Sequence, residues 1–327
     1  IQGKSGITPD TAHALAEAFG QNAQTWMNLQ ISYELAVAAQ KERGVKRRAR
    51  IYNKVPVREI RRRRWIPCVD DTDELERAVC QFLRTESIEE EVSVAVAARK
   101  STSYKMDTNA QKAWYCRARE MAEYVAAAKY AKANLVSGVP DLLALSAYPE
   151  DARRVPKVLA DIGIRFVVVQ HLKKTKIDGV AFWLDQTSPV IALSLRFDRI
   201  DNFWFNLMHE LVHVKYRDVS PVDIDLAATV GDDELPDVEH RANGEAAQHL
   251  VPTDKLDSFI RRARPLYYES RIVQFAQARC RHPGIVVGQL QHRKEFGYQR
   301  FRKLLVKVRE EVASSALTDG WGNMPSL

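Results

Sequence analysis

The chain is poor in cysteine and has no cysteine pair. Cys68, Cys80, Cys116 and Cys280 are the only four in 327 residues, and no two stand in a CxxC. This excludes a disulfide-stapled scaffold or a thiolate zinc ribbon and leaves buried, reduced thiols as the expectation. A long apolar run is missing too: nothing approaches the roughly 18 consecutive apolar residues that a membrane-spanning helix needs. No signal peptide is visible, although the sequence opens on Ile1 rather than Met, so a cytoplasmic location is expected. The length is ample for a proper core, as one large or two to three smaller domains.

Charge is present but uneven. The net charge is +7, yet Lys41 to Arg64 carries twelve Lys or Arg against Glu42 and Glu59, a local +10, leaving the remainder near −3. Such a block serves phosphate backbones or acidic partners, or it is simply a solvated, charged helix and linker. Both readings stay open. Trp65 and Ile66 close the block and are expected to dock it onto the next domain.

The strongest local signal is HELVH at 209–213. On a helix, His209 and His213 project from one face about a turn apart, with Glu210 pointing beside them. Two imidazole ligands and a carboxylate that takes a proton from water are what a zinc hydrolase requires. Ile200, Phe203, Trp204, Leu207, Leu211 and Val214 recur at spacings of three and four, which predicts a helix over 200–216. Three apolar, β-branched runs precede it, Ile164 to Val169, Gly179 to Leu184 and Pro189 to Leu195. They predict a small three-stranded sheet, partly antiparallel, whose edge strand is free to hold a peptide by strand addition. The expected class is therefore α+β and mostly helical, in a zincin-like layout.

Catalytic zinc usually takes three protein ligands, so one more is needed. Asp218, Asp223, Asp225, Asp232, Asp233 and Glu234 lie in a polar stretch with Pro221, Gly231 and Pro236; Asp237, Glu239 and Glu245 come after it. Helical periodicity resumes at Val238 through Ala242, Ala246 and Leu250, and the alanines allow close approach to the first helix. Glu239, in the first turn, is the preferred ligand. Asn243, one turn on, is placed to orient a ligating imidazole.

HELVH, followed 26 residues later by Glu239 in EHRANGEAAQHLVP, resembles the ImmA/IrrE metallo-endopeptidases, whose second motif runs roughly E-x-x-A-N/D-x-F-A-x-x-L-L-x-P. Glu239, Ala242, Asn243, Ala246, Leu250 and Pro252 match. Glu245 and His249 depart from it; four apart, they are expected to form a surface pair rather than to line the cleft. The resemblance implies zinc on His209, His213 and Glu239, with Glu210 as catalytic base. Tyr216, His171 and His282 are candidates for stabilising an oxyanion. HPGIVVGQLQ at 282–291 resembles a segment found downstream of such motifs, where packing is its expected role.

A second resemblance lies at the start. GKSGITPDTAHALAEAFGQNAQTWMNLQISYELA is similar to the later helices of a HigA-type helix-turn-helix domain, without the helix that enters the major groove. Thr8 and Asn22 are the expected N-caps and Gly20 the stop. The expected buried stripes are Ala12, Leu15, Ala16 and Phe19, then Trp26, Leu29, Tyr33 and Leu35.

The expected division is a helix-turn-helix remnant at 1–40, a basic linker at 41–66, a helical connector at 67–148 with a loop at Arg99 to Lys105, and the zincin-like domain at 149–327. Together the motifs imply a regulatory zinc endopeptidase cutting a helix-turn-helix repressor or antitoxin. The rival is a HigA-like antitoxin or transcriptional regulator that binds DNA or a toxin, with the zinc fold non-catalytic or sensory.

Overall fold

The computed structural model describes residues 6–90, 97–100, 108–173, 175–217 and 237–322. Helix α1 (Pro9–Phe19) begins at Thr8, whose hydroxyl accepts from the Thr11 amide (3.3 Å), with Pro9 in the first turn. It stops at Gly20, held at φ 64° in the left-handed region. Asn22 caps α2 (Ala23–Lys54) by accepting from the Gln24 amide (2.9 Å). The caps fall where the sequence puts them, but the boundary at residues 40 and 41 does not. Helix α2 runs unbroken through it for 32 residues, because the Ala, Gln, Lys, Glu and Arg residues around the boundary favour helix and outweigh Gly44.

The expected burial of these helices also fails. Ala12 is buried, but Phe19, Leu29, Tyr33 and Leu35 are 56 to 66% exposed. Helix α1 packs on α2, where Leu15, Ala16 and Trp26 are half-buried, while the other four positions face outward.

The second half of the basic block behaves differently. Ile51 and Val55 on α2, Val57 and Ile60 on α3 (Val57–Arg62), and Trp65 and Ile66 are all buried. They form one core with Leu75 and Val79 of α4 (Thr72–Leu83) and Trp114 of α5 (Thr108–Ala122). Several charges of the block bond to other parts of the chain. Arg47 bonds Asp73 and Glu76, Arg50 bonds Glu89, and Arg63 donates to the carbonyls of Gln170 (2.6 Å) and His171 (2.8 Å). Between α4 and α5 lies a short strand, β1 (Ala97–Lys100), so Arg99 and Lys100 are strand rather than loop; residues 101–105 lie outside the described residues.

After α6 (Lys132–Ala144) and α7 (Val155–Asp161), the three expected strands appear as β2 (Arg165–Val169), β3 (Ile177–Trp183) and β4 (Pro189–Leu193). Next come α8 (Ile200–Tyr216), α9 (Asp237–Leu250), α10 (Thr253–Ala263), α11 (Glu269–Gln277), α12 (Pro283–His292), α13 (Arg309–Ala313) and β5 (Leu317–Asp319). The sheet order is β1-β3-β4-β2-β5, with β1/β3 and β3/β4 antiparallel and β4/β2 and β2/β5 parallel. Thus β1 and β5 extend the three expected strands at either edge. The outer side of β3 pairs with β1 through Ala97–Ala181 and Ala98–Val180, so β1 and β5 are the edge strands.

Both faces of the sheet are covered. Phe166, Val168, Ala181, Ile191 and Leu193 face one core, which includes α8 and α10 to α12. Val167, Val169, Val180, Phe182, Val190 and Ala192 alternate with them and face α3 to α5. Double burial is why these strands read as continuous apolar runs. Residues 67–122 are therefore no mere connector, since α4 and α5 build the back layer. The Trp114 indole donates to the Val169 carbonyl (2.8 Å), and Tyr115 meets Phe182 edge-on at 4.9 Å. The fold is α+β: mostly helical with one small mixed sheet. Among the described residues no helix is long and apolar enough to cross a membrane. All four cysteines are free, but only Cys116 is buried; Cys68 and Cys280 are exposed, against the expectation.

Candidate metal centre

Helix α8 forms as its periodicity dictates and then exceeds it. Ile200, Phe203, Trp204, Leu207, Leu211 and Val214 are buried, and so are Met208, Val212 and the motif residues between them. Buried through the turns that carry the motif, the helix holds those polar groups in a water-poor setting, where each needs a partner. His209, Glu210 and His213 all have 0% exposure.

Helix α9 lies along α8 because Ala242 and Ala246 face it and are fully buried. This brings Glu239 over the two imidazoles. Its carboxylate oxygens lie 3.2 Å from His209 Nε2 and 3.4 Å from His213 Nε2, and the two Nε2 atoms are 3.0 Å apart. One ligand atom from each residue falls within 4.8 Å of the others, a group able to hold a metal ion. Burial pushes the Glu239 carboxyl up, but hydrogen bonds from both histidines and their charge outweigh it and hold it down at about 2. Asn243, one turn along, sets its side-chain oxygen 3.1 Å from His209 Nδ1. That contact suits a proton on Nδ1, so that Nε2, here bonded to Glu239, would be the atom to give up its proton and face a metal ion.

The Glu210 carboxylate lies against β3. There Gly179 makes room for it: a Cβ at this position would stand 2.9 Å from Glu210 Oε1 and 2.7 Å from Leu193. Sequence reasoning alone misses Gly179. A glycine within a run of β-branched and aromatic residues is the signal that something approaches the strand closely.

The remaining candidates disperse. Glu245 does not pair with His249. It accepts from Lys215 (2.7 Å) and the Tyr216 hydroxyl (2.6 Å), because α9 nearly two turns beyond Glu239 faces the end of α8. Tyr216 is thereby committed to Glu245. His282 is the N-cap of α12, accepting from the Gly284 amide (3.1 Å), and burial lowers its pKa. His171 packs on Trp321, and burial lowers its pKa as well. Neither His171 nor His282 belongs to the cluster. Asp218, Asp223, Asp225, Asp232, Asp233 and Glu234, the alternatives to Glu239, lie outside the described residues.

Residues 164–279 match the peptidase family model described as the IrrE N-terminal-like domain. That segment spans β2 to α11 and contains the whole cluster, so the match supports the ImmA/IrrE family and metallopeptidase activity for this part of the chain. The chain is also 40% identical over 45 residues to virulence-associated protein I of Dichelobacter nodosus, which is 14% of this chain. The alignment spans 42% of that relative's length. No solved structure matches.

Proposed function

We propose that the protein is a zinc-dependent endopeptidase of regulatory type. The observation that carries this is the buried His209–His213–Glu239 cluster with Glu210 on the same helix, one residue from a ligand. The donor set fits zinc, which takes two nitrogens and a carboxylate oxygen readily. Bond lengths of about 2.0–2.2 Å around a tetrahedral ion set donor separations of about 3.4 Å, close to the 3.0, 3.2 and 3.4 Å found. Zinc held there would supply a Lewis acid that polarises a peptide carbonyl and makes water more acidic.

The protein's own groups divide the remaining work. Glu239 is ionised at neutral pH and so is available as an anionic ligand. Asn243 fixes the tautomer and ring orientation of His209. Glu210 takes the proton from the attacking water and returns it to the leaving amine. The substrate class, a helix-turn-helix repressor or antitoxin, rests on the family resemblance of the two motifs.

Glu210→Gln keeps the shape of the side chain and removes its basicity. It should cut cleavage of a co-expressed repressor by about 10²–10⁴-fold while leaving bound zinc unchanged. His209→Ala should lose both. Cleavage at the parent rate by Glu210→Gln, followed by mass spectrometry, would sink the reading. Promoter binding in a gel shift with no proteolysis would favour the non-catalytic regulator instead.

A further inference from the structure

A cavity of about 560 Å³ opens between α8, α9 and α12, and nothing in the proposed mechanism uses it. Its near wall is the metal centre's own support. Asn243, which contacts His209, lines it, and so does Phe205, whose ring centre is 6.4 Å from that of His209. The volume lies in the range of about 300–1,000 Å³ typical of sites that enclose a ligand.

The lining specifies the chemistry. Phe197, Phe205 and Tyr298 offer aromatic faces, and Phe197 and Tyr298 are respectively 46 and 63% exposed. The charges in the wall are already neutralised: Arg199 grips Asp201 through two bonds (3.0 and 2.6 Å), and Arg293 bonds Asp257. Such a wall suits an uncharged guest, since a charged one would be desolvated without a free counterion.

Two glycines keep the space open, for different reasons. A Cβ at Gly288 would collide with Asp201 (2.4 Å), so packing requires that glycine. A Cβ at Gly244 would meet nothing within 4 Å. Glycine inside a helix costs about 0.5–1 kcal/mol relative to alanine, and here no neighbour demands it. Its missing side chain leaves open the part of the cavity wall beside Asn243.

We propose that this cavity is a specificity pocket, taking a large uncharged aromatic or aliphatic side chain of a polypeptide laid across the metal centre. That the polypeptide is a substrate rests on the endopeptidase reading; the pocket's preference does not.

The test separates the two. The full-length protein, with and without zinc, is titrated with N-acetyl-L-phenylalaninamide and with N-acetylglycinamide, using ligand-observed saturation-transfer NMR. The phenylalanine amide should bind and the glycine amide should not. Gly244→Ala should weaken binding partly and Gly244→Leu at least tenfold, while both variants melt no lower than the parent. In a peptide-library digest, Gly244→Leu should move the preferred residue beside the cut from large to small. Equal binding of the two amides, or undiminished binding in Gly244→Leu, overturns the pocket. Cleavage with a site preference that Gly244→Leu leaves untouched overturns it too, while sparing the endopeptidase. Selective binding without any proteolysis sustains the pocket and removes the endopeptidase reading.

Discussion

Two helix pairs in this molecule carry apolar stripes of the same kind, and only one pair buries them. In α8 and α9 the residues at three- and four-residue spacing, Phe203, Trp204, Leu207 and Ala242 among them, have at most 1% exposure. In α1 and α2 the equivalent positions, Phe19, Leu29, Tyr33 and Leu35, remain more than half exposed. The difference is not in the helices. Helix α8 has the sheet on one side, α9 on another and α12 on a third, whereas α1 has α2. Periodicity tells which face of a helix is apolar, and tertiary structure decides whether anything covers it.

Substituting one aromatic from each pair puts the contrast to its hardest test. Trp204→Ala should cost about 3–5 kcal/mol, the usual range for emptying a fully buried aromatic site. Tyr33→Ala should stay within about 0.5 kcal/mol, as substitutions at exposed sites do. Urea unfolding of the two variants at low protein concentration gives both numbers. Comparable losses would mean that the N-terminal stripe is covered in solution, and the contrast would collapse.

A second variant asks whether the cluster depends on its polar support as much as on packing. Asn243→Ala leaves the buried alanines of α9 in place and removes the partner of His209 Nδ1. Zinc affinity, measured by competition with a chelating dye, should fall by about 10–100-fold with an unchanged far-ultraviolet spectrum. An unaltered affinity would show that α9 orients the imidazole by packing alone.

The motif helix, the three central strands and the place of Glu239 on α9 beside the histidines were legible because each depends on local pattern. A four-residue spacing, a β-branched run and an alanine-lined face fix an element and its inner side within a dozen residues. What was not legible depends on partners distant in sequence. The charged stretch from Ile51 to Ile66 reads as solvated linker until Ile51, Ile60 and Trp65 are seen against the far face of the sheet. The edge strands are short and carry no pattern of their own: β5 is recognisable through Asp319, which takes the Trp65 indole and Arg117 from more than 200 residues away. Gly179 passed as part of a strand, because its reason, the carboxylate of Glu210, comes from another layer.

The smallest expected effect concerns the ionic contact that joins the two helices of the candidate metal site near the surface. Glu245 stands on α9 where the related motif has an apolar residue, and it holds Lys215 and Tyr216 at the end of α8. Burial pushes its carboxyl up, but those two donors prevail and keep its pKa below the ordinary value. A carboxyl depressed on folding contributes its stabilisation above the unfolded pKa and loses it as pH falls through the folded one. Glu245→Gln should therefore lower stability at pH 7 by no more than about 1 kcal/mol, the scale of a partly exposed pair. Parent and variant share the buried cluster, so acid effects there cancel in the comparison. The gap between their melting temperatures should close as the pH is taken from 7 to below the carboxyl range. A gap that stays constant with pH would mean that shape at Glu245, rather than its charge, ties α9 to α8.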